Sequence, residues 1–261
     1  MDPLRPETPE EFAEALAGSA RAGRSITVGG AFTKNGMAGP VAPADVTLST
    51  ASLNRVLQYD PRDLTISVEA GMRYGELTRI VTEHRQMLPL DPPFSEAATI
   101  GGVLAANTCG PRRRLYGVAR DMVIGMKFAT LEGKIVQSGG MVVKNVAGLD
   151  MAKLTIGSFA TLAAIVVANF KLAPMPEATR TFLLSFAGAS EAAAARDAVL
   201  RSVLQPAAID MLNPTAARLA GHDGFVLAVQ AGGNSAVLDR YGRELPGAQS
   251  IEGSEETEFW R

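Results

Sequence analysis

The chain holds one cysteine, Cys109, among 261 residues, and two histidines, His84 and His222. A single thiol excludes an intramolecular disulfide and leaves no cysteine cluster for zinc or an iron–sulfur centre. Two histidines far apart in sequence cannot assemble a histidine–carboxylate cluster, so no metal site is expected. An excess of one charge is missing too: 25 basic against 27 acidic residues leave a net charge of −2. That balance offers no general attraction for nucleic acid or anionic lipid. No window approaches the ~20 apolar residues of a transmembrane segment, and the acidic start "MDPLRPETPEEF" is unlike a secretory signal. With 47% hydrophobic and 20% charged residues, the chain can bury a core and form two domains. The expectation is a soluble, cytoplasmic protein with no nucleic-acid partner.

Glycine and small residues are what the chain does have. Thr8-Pro9-Glu10-Glu11 reads as an N-cap, a proline at the first helical position and a capping-box glutamate, opening a helix to about Gly23. A strand over 25–28 then runs into "GGAFTKNGMAG", and further strands are expected at 46–49 and 64–69, with a helix at 74–84. "DMVIGMKFATLEGKIVQSGG" alternates as a half-buried hairpin with its turn at 131–134. "TLAAIVVANFKLAP" is a long strand ended by Pro174. After Pro174-Met175-Pro176, strand 181–186, helix 191–204, strands 208–212 and 224–230 and a helix from Ser235 give a βαββα order, half of an α+β sandwich. No internal repeat is present.

Two glycine-rich loops, "GGAFTKNG" and "ATIGGVLAANTCG", each follow an extended run. Neither ends in the Lys-Ser/Thr of a nucleotide-triphosphate loop, and no GxGxxG opens a helix. Glycine lets backbone N–H groups come close to an anion where a side chain would hold it off. Tight turns are the alternative reading of each loop taken singly.

The ordered set "PLDPP…ATIGGVLAANTCGPRRRLYGVARDMVIG…GGMVVKNVAGLDMAKLTIGSFATLAAIVVANFKLAP" resembles the FAD-binding domain of the vanillyl-alcohol oxidase and p-cresol methylhydroxylase flavoproteins. Within that group, the GPRR-LYG, RD-V-G and VVKNVAG-D-KL patterns are most similar to the E subunits of bacterial glycolate oxidases (glycolate dehydrogenases). The resemblance covers about 25–176. It implies an α+β fold: a two-subdomain FAD-binding domain of the p-cresol methylhydroxylase type, with subdomains at 1–72 and 73–172, followed by a partial α+β cap or substrate domain at 177–261. Relatives of this type continue past the sequence "EFWR", so the cap reads as cut short.

Laid over the chain, the resemblance implies that the diphosphate loop is 29–36, with cofactor contacts from Gly29, Gly30, Ala31, Phe32 and Thr33. Where the family writes three adjacent glycines before threonine, this chain has Ala31-Phe32. The second loop implies contacts from Thr99, Gly101, Gly102, Ala105 and the turn of Asn107 to Cys109. A final backbone contact falls on Ala164-Ile165, after "GSFATLAA", where Ala160 and Ala163 replace two family glycines. No histidine or cysteine lies in the first loop, so the FAD is expected to be noncovalent.

Several residues carry two readings. Cys109 is a small buried hydrophobe or a flavin neighbour, with no paired base to make it a nucleophile. His84 is expected in the last turn of its helix, against the C-terminal dipole, and His222 in an exposed turn. Arg112, Arg113, Arg114 and Arg120 form a solvated patch, or meet an acidic substrate or the flavin phosphates. Lys144 and Asn145 are structural or touch the cofactor. No catalytic base is identifiable. The resemblance implies an FAD-dependent oxidoreductase: the FAD-binding subunit of a multi-subunit 2-hydroxyacid (glycolate) dehydrogenase or oxidase. It would work with a homologous flavin subunit and an iron–sulfur subunit, peripheral to the inner membrane through those partners. The alternatives are a self-sufficient D-lactate-type dehydrogenase and a noncatalytic assembly subunit.

Overall fold

The computed structural model describes residues 2–37, 39–40, 42–141 and 149–260. The chain divides into two compact units, one of Met1–Gly110 and Gly117–Met175, the other of Pro111–Tyr116 and Pro176–Arg261.

The first unit opens with helix α1 (Pro9–Arg21). Thr8 caps it, its Oγ1 accepting from the Glu11 amide at 3.1 Å, while the Glu11 carboxylate reaches back to the Glu7 amide at 2.9 Å. Strands β1 (Ile26–Gly29) and β2 (Val46–Ser49) pair in parallel, Ile26 beside Val46 and Gly29 beside Ser49. Phe12 and Leu16 of α1 pack with Val46 and Leu48 in one core that also takes in Leu53 and Val166.

Strands β3 (Val56–Asp60) and β4 (Thr65–Glu69) form a hairpin, followed by helix α2 (Tyr74–Thr82), the two-residue strand β5 (Gln86–Met87) and helix α3 (Ile100–Ala106). A short turn, α4 (Arg113–Tyr116), lies in the stretch assigned to the second unit; α5 (Ala119–Met122), the hairpin β6 (Val123–Ala129) and β7 (Ile135–Gly139), α6 (Met151–Thr155), β8 (Ala164–Lys171) and β9 (Ala173–Pro174) complete the first. Its main sheet is antiparallel, in the order β3-β4-β8-β6-β7. β8 is central and buried from Ala164 to Phe170, which is why its sequence is apolar from Ala164 to Ala168 without the alternation of a one-sided strand.

Two expectations need correction here. The helix expected over 74–84 stops at Thr82, and His84 sits past its end with its ring edge-on to Tyr59, centroids 5.3 Å apart. The stretch read as a second glycine loop is helical from Ile100 to Ala106. Its short run of small residues hides any 3.6-residue period. Long-range contacts override the low helix propensity of Gly101-Gly102.

The second unit is built on strands β10 (Ala178–Phe186), β11 (Ala208–Leu212), β12 (Phe225–Gly233) and β13 (Gln249–Ile251), with helices α7 (Ala189–Arg201), α8 (Pro214–Leu219), α9 (Ser235–Glu244) and α10 (Gly253–Phe259) between and after them. The sheet is antiparallel, in the order β11-β12-β10-β13. Alternation along the strands serves two faces. Phe182, Leu227 and Val229 pack with Val199 of α7 and Leu238 and Tyr241 of α9, while Leu183, Val226 and Ala228 pack with Ala217 of α8 and with Phe259 and Trp260. Helix α8 carries a sequence signal, Asn213 as N-cap before Pro214 at the first helical position, that the periodicity reading passed over.

Among the described residues, no helix is long and apolar enough to cross a membrane, and no group of three or more His, Cys, Asp or Glu could hold a metal ion.

Candidate cofactor site

The parallel pairing of β1 and β2 delivers the first glycine loop to one end of the small sheet. Its base is pinned there: the Thr50 amide donates to the Gly29 carbonyl at 2.9 Å, and the Ser49 hydroxyl donates to the Gly30 carbonyl at 3.1 Å. Close approach explains both glycines. A Cβ on Gly30 would lie 2.1 Å from Thr99 Oγ1, and one on Gly29 would lie 2.5 Å from the Phe32 ring. Phe32 itself takes a left-handed backbone, φ 56°, a conformation that costs a bulky residue about 1–2 kcal/mol and that glycine adopts freely. The family pattern has glycine in this part of the loop.

Beyond this base the loop turns away from the sheet. None of the amides of residues 30–34 donates to an acceptor among the described residues. Amides beside a cavity that have no acceptor among the described residues are available to an external anion.

Helix α3 supplies the opposite wall. Its first amides are already satisfied: Ile100 N donates to the Met72 carbonyl at 2.9 Å, Gly101 N to the Ala70 carbonyl at 2.7 Å, and Gly102 N to Thr99 Oγ1 at 3.4 Å. The two helix glycines differ in purpose. A Cβ on Gly101 would come 2.9 Å from the Ala70 methyl, so this glycine serves helix–strand packing. A Cβ on Gly102 would meet one atom, Thr99 Oγ1 at 3.2 Å. The segment after α6 docks on the other end of α3, with Gly157 N donating to the Leu104 carbonyl and Phe159 N to the Ala105 carbonyl, at 3.0 and 2.9 Å. These bonds satisfy carbonyls that a helix end leaves open. Phe159 and Ala160 take left-handed backbones to make the turn, φ 49° and 61°. Ala160 therefore occupies, at some strain, a position where the family pattern has a glycine.

Between these walls is a cavity of about 390 Å³, within the range of small-molecule sites. The sequence-expected residues Gly29, Gly30, Ala31, Phe32, Thr33, Thr99, Gly101, Gly102, Ala105 and Ile165 all line it. Asn107, Cys109 and Ala164 do not. Asn107 is the left-handed C-cap of α3 and Cys109 is a half-buried free thiol in the turn that follows. The Ala164 side chain belongs to the core under α1. Lys34, Thr50, Phe159 and Thr161 also line the cavity, and sequence reading missed them. The glycine run had drawn attention to the residues before Lys34, while Phe159 and Thr161 reach the site through the docking of a distant segment. Lys144 and Asn145 lie outside the described residues. Arg113 and Arg114 fall in α4, and Arg120 is an exposed residue of α5.

The donor set fits a flavin dinucleotide: free amides and side-chain-free backbone suit a diphosphate, and a floor of Gly102, Ala105 and Ile165 suits a flat, largely apolar ligand. Solved structures share this fold. Alkyldihydroxyacetonephosphate synthase superposes with a TM-score of 0.78 at 22% identity, over 97% of this chain and 54% of that one. p-Cresol methylhydroxylase superposes with a TM-score of 0.75 at 17% identity, over 95% and 57%. The fold is thus the α+β FAD-binding fold of the p-cresol methylhydroxylase type.

Sequence places the chain more closely. Residues 4–139, just over half of it, match the family of FAD binding domains, and the chain belongs to that family, with FAD as its cofactor. Glycolate oxidase subunit GlcE of Escherichia coli (strain K12) is 32% identical over 82% of this chain and 57% of its own length. Glycolate oxidase subunit GlcD of Bacillus subtilis (strain 168) is 34% identical over 62% of this chain and 34% of its own. D-2-hydroxyglutarate dehydrogenase of Xanthomonas citri pv. viticola is 33% identical over 66% and 35%. The chain therefore spans between a third and somewhat over half the length of these curated relatives.

Proposed function

We propose that the chain is the FAD-binding subunit of a multi-subunit 2-hydroxyacid dehydrogenase or oxidase, glycolate being the favoured acid, and that it works in the cytoplasm with a homologous flavin subunit and an iron–sulfur subunit. The observation that carries this reading is the cavity itself, walled by free amides on one side and by small residues of α3 on the other. Its similarity to glycolate oxidase subunits supplies the substrate class.

When bound, FAD supplies the hydride or electron acceptor. The amides of residues 30–34 would hold its diphosphate, and Gly102 and Ala105 leave room for it along α3. The attachment is noncovalent in this reading: no histidine or cysteine lines the cavity, His84 packs on Tyr59, and Cys109 lies outside.

Oxidising a 2-hydroxyacid also requires a base for the hydroxyl proton. Among the described residues lining the cavity, Lys34 is the one ionisable side chain, and in its ammonium form it has no lone pair with which to take the hydroxyl proton. His222 lines a separate cavity in the second unit, with Glu255 and Glu258. The base is accordingly assigned to a partner subunit. Purified chain should take up FAD and release it intact on acid precipitation. Loaded with FAD, it should not reduce a dye acceptor with glycolate or D-lactate until the homologous flavin and iron–sulfur subunits are added. Steady dye reduction by this chain alone, lost in His222→Ala, would transfer the reading to a self-sufficient dehydrogenase.

A further inference from the structure

Lys34 is a long cationic side chain on an otherwise uncharged cavity wall, and the residue is 8% exposed. Its ammonium donates to two neutral oxygens at the long end of hydrogen bonding, Thr33 Oγ1 at 3.4 Å and the Pro93 carbonyl at 3.3 Å. No carboxylate pairs with it among the described residues. Burial pushes its pKa down from the ordinary lysine value, and no neighbouring charge pulls it back up. A buried cation without a counter-charge is a costly arrangement that a hydrophobic residue of similar shape would relieve. The same side chain lies at the end of the five-amide run, so one wall of the cavity presents donors without acceptors and a charge without a counter-charge among the described residues.

We infer that Lys34 is the counter-charge for the diphosphate of the bound cofactor, an ammonium desolvated in advance so that it pairs with the anion. This rests on the reading of the cavity as the FAD site. Neutral amides position a diphosphate, and the lysine offsets the charge that they leave. The alternative is purely structural: a tether from the first loop to the Pro93 carbonyl, 59 residues away.

Equilibrium titration of the apoprotein with FAD and with riboflavin, followed by flavin fluorescence, separates the two roles. Lys34→Met should weaken FAD binding by about 10- to 100-fold, the range of a charge-assisted hydrogen bond, and should flatten its dependence on salt. Riboflavin, which has no phosphate, should bind wild type and variant alike, and Lys34→Arg should restore most of the FAD affinity. The apo Lys34→Met protein should melt no lower than wild-type apoprotein, because an uncompensated buried charge has been removed. A lower melting point with unchanged FAD affinity would mean that the tether is the whole role and would overturn the inference. Ala105→Phe, which fills the cavity beside α3, keeps the two readings distinguishable. If it abolishes FAD binding while Lys34→Met leaves binding unchanged, the cavity stands and the lysine inference falls. If neither substitution alters FAD affinity, both fall.

Discussion

The wall of the cavity in the first unit and the polar core of the second handle buried polar groups in opposite ways. In the second unit the Glu256 side chain, 4% exposed, accepts from Thr179 Oγ1 at 2.6 Å, Thr181 Oγ1 at 2.7 Å and Gln230 Nε2 at 3.0 Å. Trp260 Nε1 adds a bond to Thr181 Oγ1 at 2.8 Å. Each partner is matched, and the network ties α10 to β10 and β12. Around the cavity, amides lack acceptors and a lysine lacks a counter-ion among the described residues, and Phe32, Phe159 and Ala160 hold left-handed backbones. Satisfied polar groups contribute to stability; groups left open beside a cavity are poised for a ligand.

The contrast can be broken most severely in the second unit. Glu256→Ala leaves three donors facing a void, and should destabilise the protein by about 3 kcal/mol. Chemical unfolding should report that loss, whereas FAD affinity, read by fluorescence titration, should stay within twofold of wild type. A variant that kept its stability would mean that the network is dispensable.

On the cavity side the pattern should reverse. Residue 102 is helical and has no left-handed requirement, so Gly102→Val costs little in backbone strain and even gains helix propensity. Its branched side chain would add bulk to a residue that lines the cavity, beside Thr99 Oγ1. FAD affinity should fall by tenfold or more, about 1.4 kcal/mol, with the unfolding midpoint nearly unmoved. Native affinity in a folded Gly102→Val protein would place the cofactor elsewhere.

The smallest effect concerns strain. Ala160→Gly removes a side chain from a left-handed position and restores the family's glycine, which should stabilise the turn by up to about 1 kcal/mol, partly offset by the greater freedom of the unfolded chain. Thermal melting of the apoprotein measures it, and a drop in melting temperature would indicate that the methyl packs usefully.

Regular elements were legible wherever a local rule sufficed. The cap of α1, the hairpin of β6 and β7 with its turn at Gly133, φ 80°, and the apolar run of β8 follow from spacing and turn chemistry alone. Strand β3 was not legible, because its first three residues are exposed and carry no alternation. Helix α3 was read as loop because its small residues show no face until Ala70 and β8 provide one.

What the sequence by itself determined is the family and the cofactor, through the resemblance that its ordered motifs carry, and the order of most regular elements, through local periodicity. Tertiary structure alone decided what each small residue is for. Gly30 is small because Thr99 lies against it, Gly101 because Ala70 does, and a Cβ on Gly102 would meet one atom only, Thr99 Oγ1 at 3.2 Å. It also decided that Lys34 is buried without a counter-charge among the described residues and that Asn107 and Cys109 stay outside the cavity. The physical reason is that burial and pairing depend on contacts between segments dozens of residues apart, and those contacts leave no period in the chain.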